Sequence, residues 1–344
     1  MRIALAVHGW YHPLSETDTY IVSLFKALES VGMNPNIIEG YKLPYGTMTQ
    51  LFFPPLCRYF LRYRCDDYDI IHDTRGDSVF REVNVATITD FYWNQRKDNF
   101  QDKVVQIPMR FYQDYKRTIK KSKRVILLNS TFKTEIGKYF GAEFDQKIKI
   151  IPVPISTLPF TASINRMYDV IWIGTTDRRK QLPLFLNSID KLPRKYKIGL
   201  KINYINRHVS DTHPQMSWKI NQLRASGYSI DLIDFVKSWS LMEDFYKSSK
   251  CLVSTSAYEG FHMPVAEAYL RGVNVVLPRT KLYQSIYGEE VGVHYYKKYS
   301  ELPQKISEAV ESEKFTPSPK IVKYLSYENV GEMLKATYEE AMNY

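Results

Sequence analysis

The chain alternates between short, wholly apolar runs and longer stretches whose apolar residues recur three and four positions apart. Ile3–Val7 (IALAV) is the first such run, and Ile21, Leu24, Phe25 and Leu28 follow it at i, i+3, i+4 and i+7. Continuous runs of this length predict strands buried on both faces, and the 3.6-residue spacing predicts helices lying over them. Ser15-Glu16-Thr17-Asp18 matches a capping box ahead of the first helix, Gly32 ends it, and residues 36–38 resume as strand. Asp18 then reads as a first-turn residue favoured by the helix dipole rather than as a catalytic base. A strand–helix–strand start of this kind predicts a parallel sheet whose ligands gather at the carboxyl ends of its strands.

The same rhythm predicts further strands at 68–72, 83–88, 124–128 and 148–153, with a helix over 131–140. Residues 151–160, IPVPISTLPF, carry three prolines and read as a linker. A second series follows: strands at 168–173, 198–205, 229–232, 251–253, 273–277 and 291–294, and helices at 182–189, 214–225, 241–247 and 301–310. An amphipathic helix over 327–342 closes the chain, with Val330, Met333, Leu334 and Tyr338 on one side. No internal repeat is visible. The expectation is an α/β protein of two Rossmann-like doubly wound domains facing across a cleft, divided into residues 1–155 and 156–326, with 327–344 crossing back to the first domain. A length of 344 residues agrees with two cores rather than one.

The most informative stretch is residues 254–276, STSAYEGFHMPVAEAYLRGVNVV. A buried strand leads into a turn with Glu259, Gly260 and Phe261, a helix opens at Met263-Pro264, and Gly272 closes it. Proline suits the first helical turn, and the N–H groups that open a helix favour phosphate oxygens and polarised hydroxyls. Glu259 lies where it would accept hydrogen bonds from a polyol, and Glu267, eight residues on, within reach of a second set of hydroxyls. Residue types alone leave open that Glu259 is a loop carboxylate and Glu267 part of a solvated helix face.

Charge and composition add constraints. A net charge of +10 raises a polyanionic partner: nucleic acid, an acidic membrane surface or a phosphorylated substrate. Residues 51–64 (LFFPPLCRYFLRYR) and 110–124 (RFYQDYKRTIKKSKR) are basic and aromatic together. They read either as docking on an anionic membrane surface or as solvated charged faces over a core stripe. No recognised reader motif supports nucleic-acid binding. Three cysteines without CxxC spacing argue for reduced thiols and against a zinc site or a disulfide framework. The opening apolar run is too short for a signal peptide, and no run approaches the roughly 18 residues that span a bilayer. The expectation is a cytoplasmic protein, soluble or peripheral on the inner membrane face. His208 and His213 are not at a ligand spacing, no DxD-type metal site stands out, and no cofactor is implied.

In register, Glu259-Gly260-Phe261, Pro264, Glu267-Ala268, Gly272 and Val275-Val276 resemble the signature of the retaining GT-B glycosyltransferases of the group 1 family. His262 stands for that signature's second glycine and Asn274 for its proline. The family's G-R-x4-K-G loop is met by Gly174 and Lys180, with Thr175 in place of the arginine and Gln181 in place of the glycine; Arg178 or Arg179 would supply the missing cation. The resemblance implies a metal-independent transfer of sugar from a nucleoside-diphosphate sugar to a glycan, lipid or protein-linked acceptor, with retention of configuration. It places the donor on Gly174, Arg178, Arg179, Lys180, Gly260, Phe261, His262, Met263 and Glu267, with Glu259, Lys180 and Asp90 as catalytic residues. His8, His72, Thr89 and Asp90 would face the acceptor; at His8 and His72 a hydrogen-bonded structural histidine is the other reading. Thr89 takes the place of a histidine that often contacts the transferred sugar, and the paired glycine after the first strand is replaced by SETDT. These departures motivate an alternative: a non-catalytic nucleotide- or sugar-binding protein on the same scaffold.

Overall fold

The structure is a computed structural model that describes residues 1–7, 16–39, 67–76, 83–89, 109–157, 167–176, 178–203, 214–233 and 239–344. It divides into two compact units, Met1–Ser156 with Lys323–Tyr344, and Thr157–Val322.

The first unit is built on six parallel strands: β1 (Ile3–Val7), β2 (Asn36–Glu39), β3 (Ile70–Asp73), β4 (Val85–Ile88), β5 (Arg124–Leu127) and β6 (Ile148–Ile150), in the order β2-β1-β3-β4-β5-β6. Helix α1 (Glu16–Ser30) buries Tyr20, Ile21, Leu24 and Leu28, and α2 (Met109–Lys121) buries Tyr115, Thr118 and Ile119. Among the described side chains of α2 the exposed ones are Lys116, Arg117, Lys120 and Lys121, so the basic half of the segment faces outward over a core stripe. Residues 51–64 lie outside the described residues. Helix α3 (Thr131–Phe140) precedes β6, which is shorter than the run 148–153 because Pro152 brings no N–H to a ladder.

The second unit repeats the plan. Strands β7 (Tyr168–Thr175), β8 (Lys197–Asn203), β9 (Ser229–Ile233), β10 (Ser249–Val253), β11 (Asn274–Pro278) and β12 (Val293–Tyr296) lie parallel in the order β12-β11-β10-β7-β8-β9. Counted within the unit this is 6-5-4-1-2-3, the doubly wound order whose direction of winding reverses between β7 and β10. Those two strands pair directly, Cys251 with Val170 and Leu252 with Ile171. Helices α4 (Leu182–Ile189), α5 (Pro214–Ala225) and α9 (Leu302–Glu311) share one core with Val170, Trp172, Leu200 and Val253. Helix α6 (Trp239–Lys247) lies on the other face, where a side chain at Gly199 would meet Phe245 at 3.0 Å. Helix α7 (Met263–Leu270) packs with α6 and β11, and α8 (Lys281–Tyr287) starts behind a Thr280 cap. The sequence pattern does not announce α8, because seven residues are too few to display a helical period.

After α10 (Pro319–Leu325), α11 (Tyr327–Met342) returns to the first unit and packs along α1. Its Gly331 sits against α1 so closely that an added Cβ would lie 2.2 Å from the Ala27 carbonyl oxygen. Its Tyr338 hydroxyl meets His72 Nδ1 at 2.8 Å, while His72 Nε2 meets Thr87 Oγ1 at 2.7 Å. Burial pushes the His72 pKa down to about 3, so the ring is neutral. His72 is therefore a spent, fully enclosed structural histidine and not a residue facing an acceptor.

The α1–α11 contact predicts a specific sensitivity. Gly331→Ala should lower the stability of the first unit by about 1–3 kcal/mol, because backbone rather than a flexible side chain blocks the new methyl. A drop in the urea midpoint of its transition checks this; an unchanged midpoint would mean that the helices are not in register at Gly331.

Candidate functional site

The loops after β7 and β10 leave adjacent strand ends at the reversal point of the second sheet, the place where open α/β sheets bind ligands. They are tied to each other by backbone and hydroxyl bonds. Ala257 N–H donates to the Arg179 carbonyl at 2.9 Å, and the Thr255 hydroxyl donates to the Lys180 carbonyl at 2.8 Å. Trp172 on β7 reaches the same Thr255 oxygen with its indole N–H at 3.2 Å, and its ring fills the space beside Gly174.

Two cations and a carboxylate meet across these loops. Lys180 Nζ donates to Glu259 Oε1 at 2.6 Å, and an Arg179 guanidinium N–H donates to Glu259 Oε2 at 2.8 Å. The side chains of Lys180 and Glu259 are 3% and 2% exposed, so the pairing is almost dry. Burial alone would raise the Glu259 pKa; Lys180 foremost, with His262 and Arg179, outweighs it and holds the carboxyl well below the usual range. Arg178, the first residue of the short turn Arg178–Lys180, is exposed, so Arg179 is the arginine of this cluster. Neither glutamate is solvated. Glu259 is not a solvated loop carboxylate. Glu267 is buried on α7 and accepts from the Tyr246 hydroxyl at 2.6 Å. Lys201 on β8 is also buried; burial lowers its pKa and the negative charge of Glu267 opposes that shift.

Helix α7 opens with its cap residue, His262, in the left-handed region at φ 65°, and α4 opens likewise with Gln181 at φ 50°. These are the only described non-glycine residues with positive φ, and they are the two positions at which the resemblance drawn from the sequence expects glycine. Gly260, Phe261 and Met263 are buried around the same turn. Pro264 brings no N–H to the first turn, and Val265 N–H is taken by the His262 carbonyl at 3.1 Å. Beyond α7, Gly272 N–H bonds to Tyr269 O and Val273 N–H to Ala268 O, a Schellman ending that needs the positive φ of Gly272, 67°.

Three tyrosines brace the two loops, and sequence reasoning missed all of them. Tyr283 on α8 places its hydroxyl 2.6 Å from His262 Nδ1 and 3.1 Å from Ser254 Oγ. Tyr296 donates to the Ser254 carbonyl at 3.1 Å, and Tyr299 donates to Gln181 Oε1. Nothing in the spacing of these residues links them to the loops; only abundance hinted at a role, with 27 tyrosines in the chain.

On the first unit, Thr89 is half-buried just after β4. His8 and Asp90 lie outside the described residues, as do His208 and His213. Among the described residues no group of three His, Cys, Asp or Glu gathers as a metal site, and no helix is long and apolar enough to cross a membrane.

Residues 161–328 match the family described as Glycosyl transferases group 1. A comparison with curated proteins returns no match. Among solved structures, the chain is similar to HepE of Anabaena in complex with UDP and glucose, with a TM-score of 0.72 at 13% identity over 98% of this chain and 99% of that one. Sucrose-phosphate synthase of Thermosynechococcus elongatus aligns with a TM-score of 0.73 at 13% identity, covering 99% and 96%. WaaG, a glycosyltransferase involved in lipopolysaccharide biosynthesis, aligns with a TM-score of 0.69 at 11% identity, covering 99% and 98%. The family match thus lies in residues 161–328, and the likeness to these solved structures shows that the two Rossmann-like units have the GT-B fold.

Glu259 carries a pH signature. Its pKa is lower folded than the ordinary 4.5, so its contribution to stability is complete above that value and is lost as pH falls toward the native pKa. Glu259→Gln should be destabilised relative to wild type at pH 7, and the gap should narrow steadily below about pH 4.5. Urea midpoints of both proteins across that range measure it; a gap independent of pH would place the carboxylate outside the ion cluster.

Proposed function

We propose that this chain, whose second unit is of the glycosyl transferases group 1 family, moves a sugar from a nucleoside-diphosphate sugar to an acceptor. The observation that carries the reading is the buried Lys180–Glu259–Arg179 cluster at the reversal point of the second sheet, inside the region that matches the family. In this reading the second unit takes the donor and the first unit the acceptor.

The chemistry follows from the charges. Breaking the bond between the sugar and the diphosphate builds negative charge on the leaving group, and fixed cations aimed there lower the barrier most. Lys180 and Arg179 supply two positive charges from one loop, and the backbone of Phe261, His262 and Met263 at the opening of α7 supplies N–H dipoles. Glu259, kept ionised by those cations, accepts hydrogen bonds from sugar hydroxyls, and Glu267 from the ribose. Two fixed cations make a metal ion unnecessary for this step. Transfer with retention of configuration follows the family resemblance. The HepE structure contains UDP, which makes UDP-sugars the first donors to test.

A panel of UDP-, GDP- and ADP-sugars should raise the melting temperature with at least one member, and that member should be slowly hydrolysed with the product in the donor's anomeric form. Lys180→Ala should then lower turnover about 10²–10³-fold, the usual loss for one group that stabilises the transition-state charge. Silence across the whole panel would sink the reading. Nucleotide binding with no turnover on any acceptor would favour the non-catalytic binding protein instead.

The exposed Lys116, Arg117, Lys120 and Lys121 of α2 support a lipid-linked acceptor reached by docking on an anionic membrane surface. Co-sedimentation with anionic vesicles at low salt is the expected result. Its absence there would leave these residues as a solvated face.

A further inference from the structure

His262 occupies a glycine position, and its imidazole is nine-tenths buried and more: the residue is 2% exposed. A side chain at φ 65° costs about 1–3 kcal/mol over glycine, so the imidazole persists there against its backbone preference. Its two nitrogens have different surroundings. Nδ1 is met by the Tyr283 hydroxyl at 2.6 Å and the Ser254 hydroxyl at 3.3 Å. Nε2 has no hydrogen-bond partner and faces Glu259 Oε1 at 3.9 Å.

The proton inventory decides the tautomer. Burial, only partly opposed by Glu259, pushes the His262 pKa down to about 3, with Lys180 and Arg179 adding to the shift, so the ring is neutral at pH 7. Burial raises the Tyr283 pKa well above its ordinary value, and Glu259 adds to that, so the phenol keeps its proton. A neutral imidazole carries one N–H. A lone pair on Nε2 would face an ionised carboxylate oxygen; an N–H there is attracted to it. The consistent assignment puts the proton on Nε2 and leaves Nδ1 to accept from the Tyr283 hydroxyl.

We propose that His262 and Tyr283 are positioning residues for Glu259: Tyr283 donates to His262 Nδ1, which turns the Nε2–H toward Glu259 and fixes the face that the carboxylate presents to the sugar. The third donor aimed at Glu259 then differs from Lys180 and Arg179 in being uncharged, so it orients the carboxylate without changing the charge offered to the diphosphate. This rests on the donor-sugar role of Glu259 given above.

The test is Tyr283→Phe, which removes one hydroxyl and leaves the ring. ¹⁵N spectra of wild type, with the His262 signals assigned by their loss in His262→Asn, should show the Nε2-protonated neutral tautomer; in Tyr283→Phe that preference should weaken. With an active nucleotide-sugar, kcat/KM of Tyr283→Phe should fall about three- to tenfold, the scale of one hydrogen bond between neutral groups. Affinity for the free nucleoside diphosphate should stay the same, because only the sugar end meets Glu259. His262→Asn, which tolerates the left-handed region and carries N–H donors, should retain more activity than His262→Ala. An Nδ1-protonated or charged imidazole in wild type would overturn the proposal, as would unchanged kcat/KM in Tyr283→Phe or an equal loss in nucleotide affinity. The spectra need no turnover. If no nucleotide-sugar is used at all, the functional reading fails while the tautomer still decides whether an N–H faces Glu259.

Discussion

One buried charge cluster organises the second unit's ligand edge. Glu259 is a carboxylate taken out of water, a step that costs several kcal/mol unless opposite charge and hydrogen bonds meet it. Lys180 and Arg179 meet it from the neighbouring loop at 2.6 and 2.8 Å. The pairing works because parallel strands β7 and β10 already place both loops at one edge, and because Thr255 and Ala257 bind the backbone that carries the cations. Remove the strand order and the two loops separate. Remove the carboxylate and two cations are left facing each other in a dry site.

The bracing of that cluster comes from parts of the chain that no motif contains. Tyr283, Tyr296 and Tyr299 follow the signature, yet their hydroxyls hold Ser254, His262 and Gln181. Burial raises the pKa of each of the three, which keeps them as proton donors at any physiological pH. A phenol that cannot ionise is a suitable brace beside a carboxylate, since it adds a directed dipole and no charge. Rigid donors around Glu259 also cut the reorganisation needed when negative charge appears on a leaving group.

Much of the scaffold is legible in the sequence because parallel sheets are buried on both faces and so appear as unbroken apolar runs. Ile3–Val7 coincides with its strand, and β5 and β10 fall within two residues of theirs. Edges shift where hydrogen bonding rather than hydrophobicity decides, as at Pro152, where the apolar run outlasts the ladder. The paired residues of the site are less legible. Lys180 and Glu259 are 79 positions apart, and only a family resemblance brings them together before the fold is known. His72 shows the converse: it ends a strand, as a cleft residue would, but its partner Tyr338 lies 266 positions away on a returning helix. Separation of that length leaves no trace in a local pattern.

Gln181 and His262 sharpen the meaning of a broken motif. Loss of a signature glycine is ordinarily read as loss of the backbone turn that the glycine allows. Here both turns keep the left-handed conformation, at φ 50° and 65°, and each replacement side chain is anchored by a tyrosine hydroxyl. The strain of a side chain in that region is set against a new hydrogen bond to a neutral donor. That exchange adds an amide at one loop and an imidazole at the other, in places where glycine offers only backbone. The turn therefore belongs to the fold, while the side chains belong to this chain's own chemistry, and a motif scored by residue identity alone would count both positions as defects.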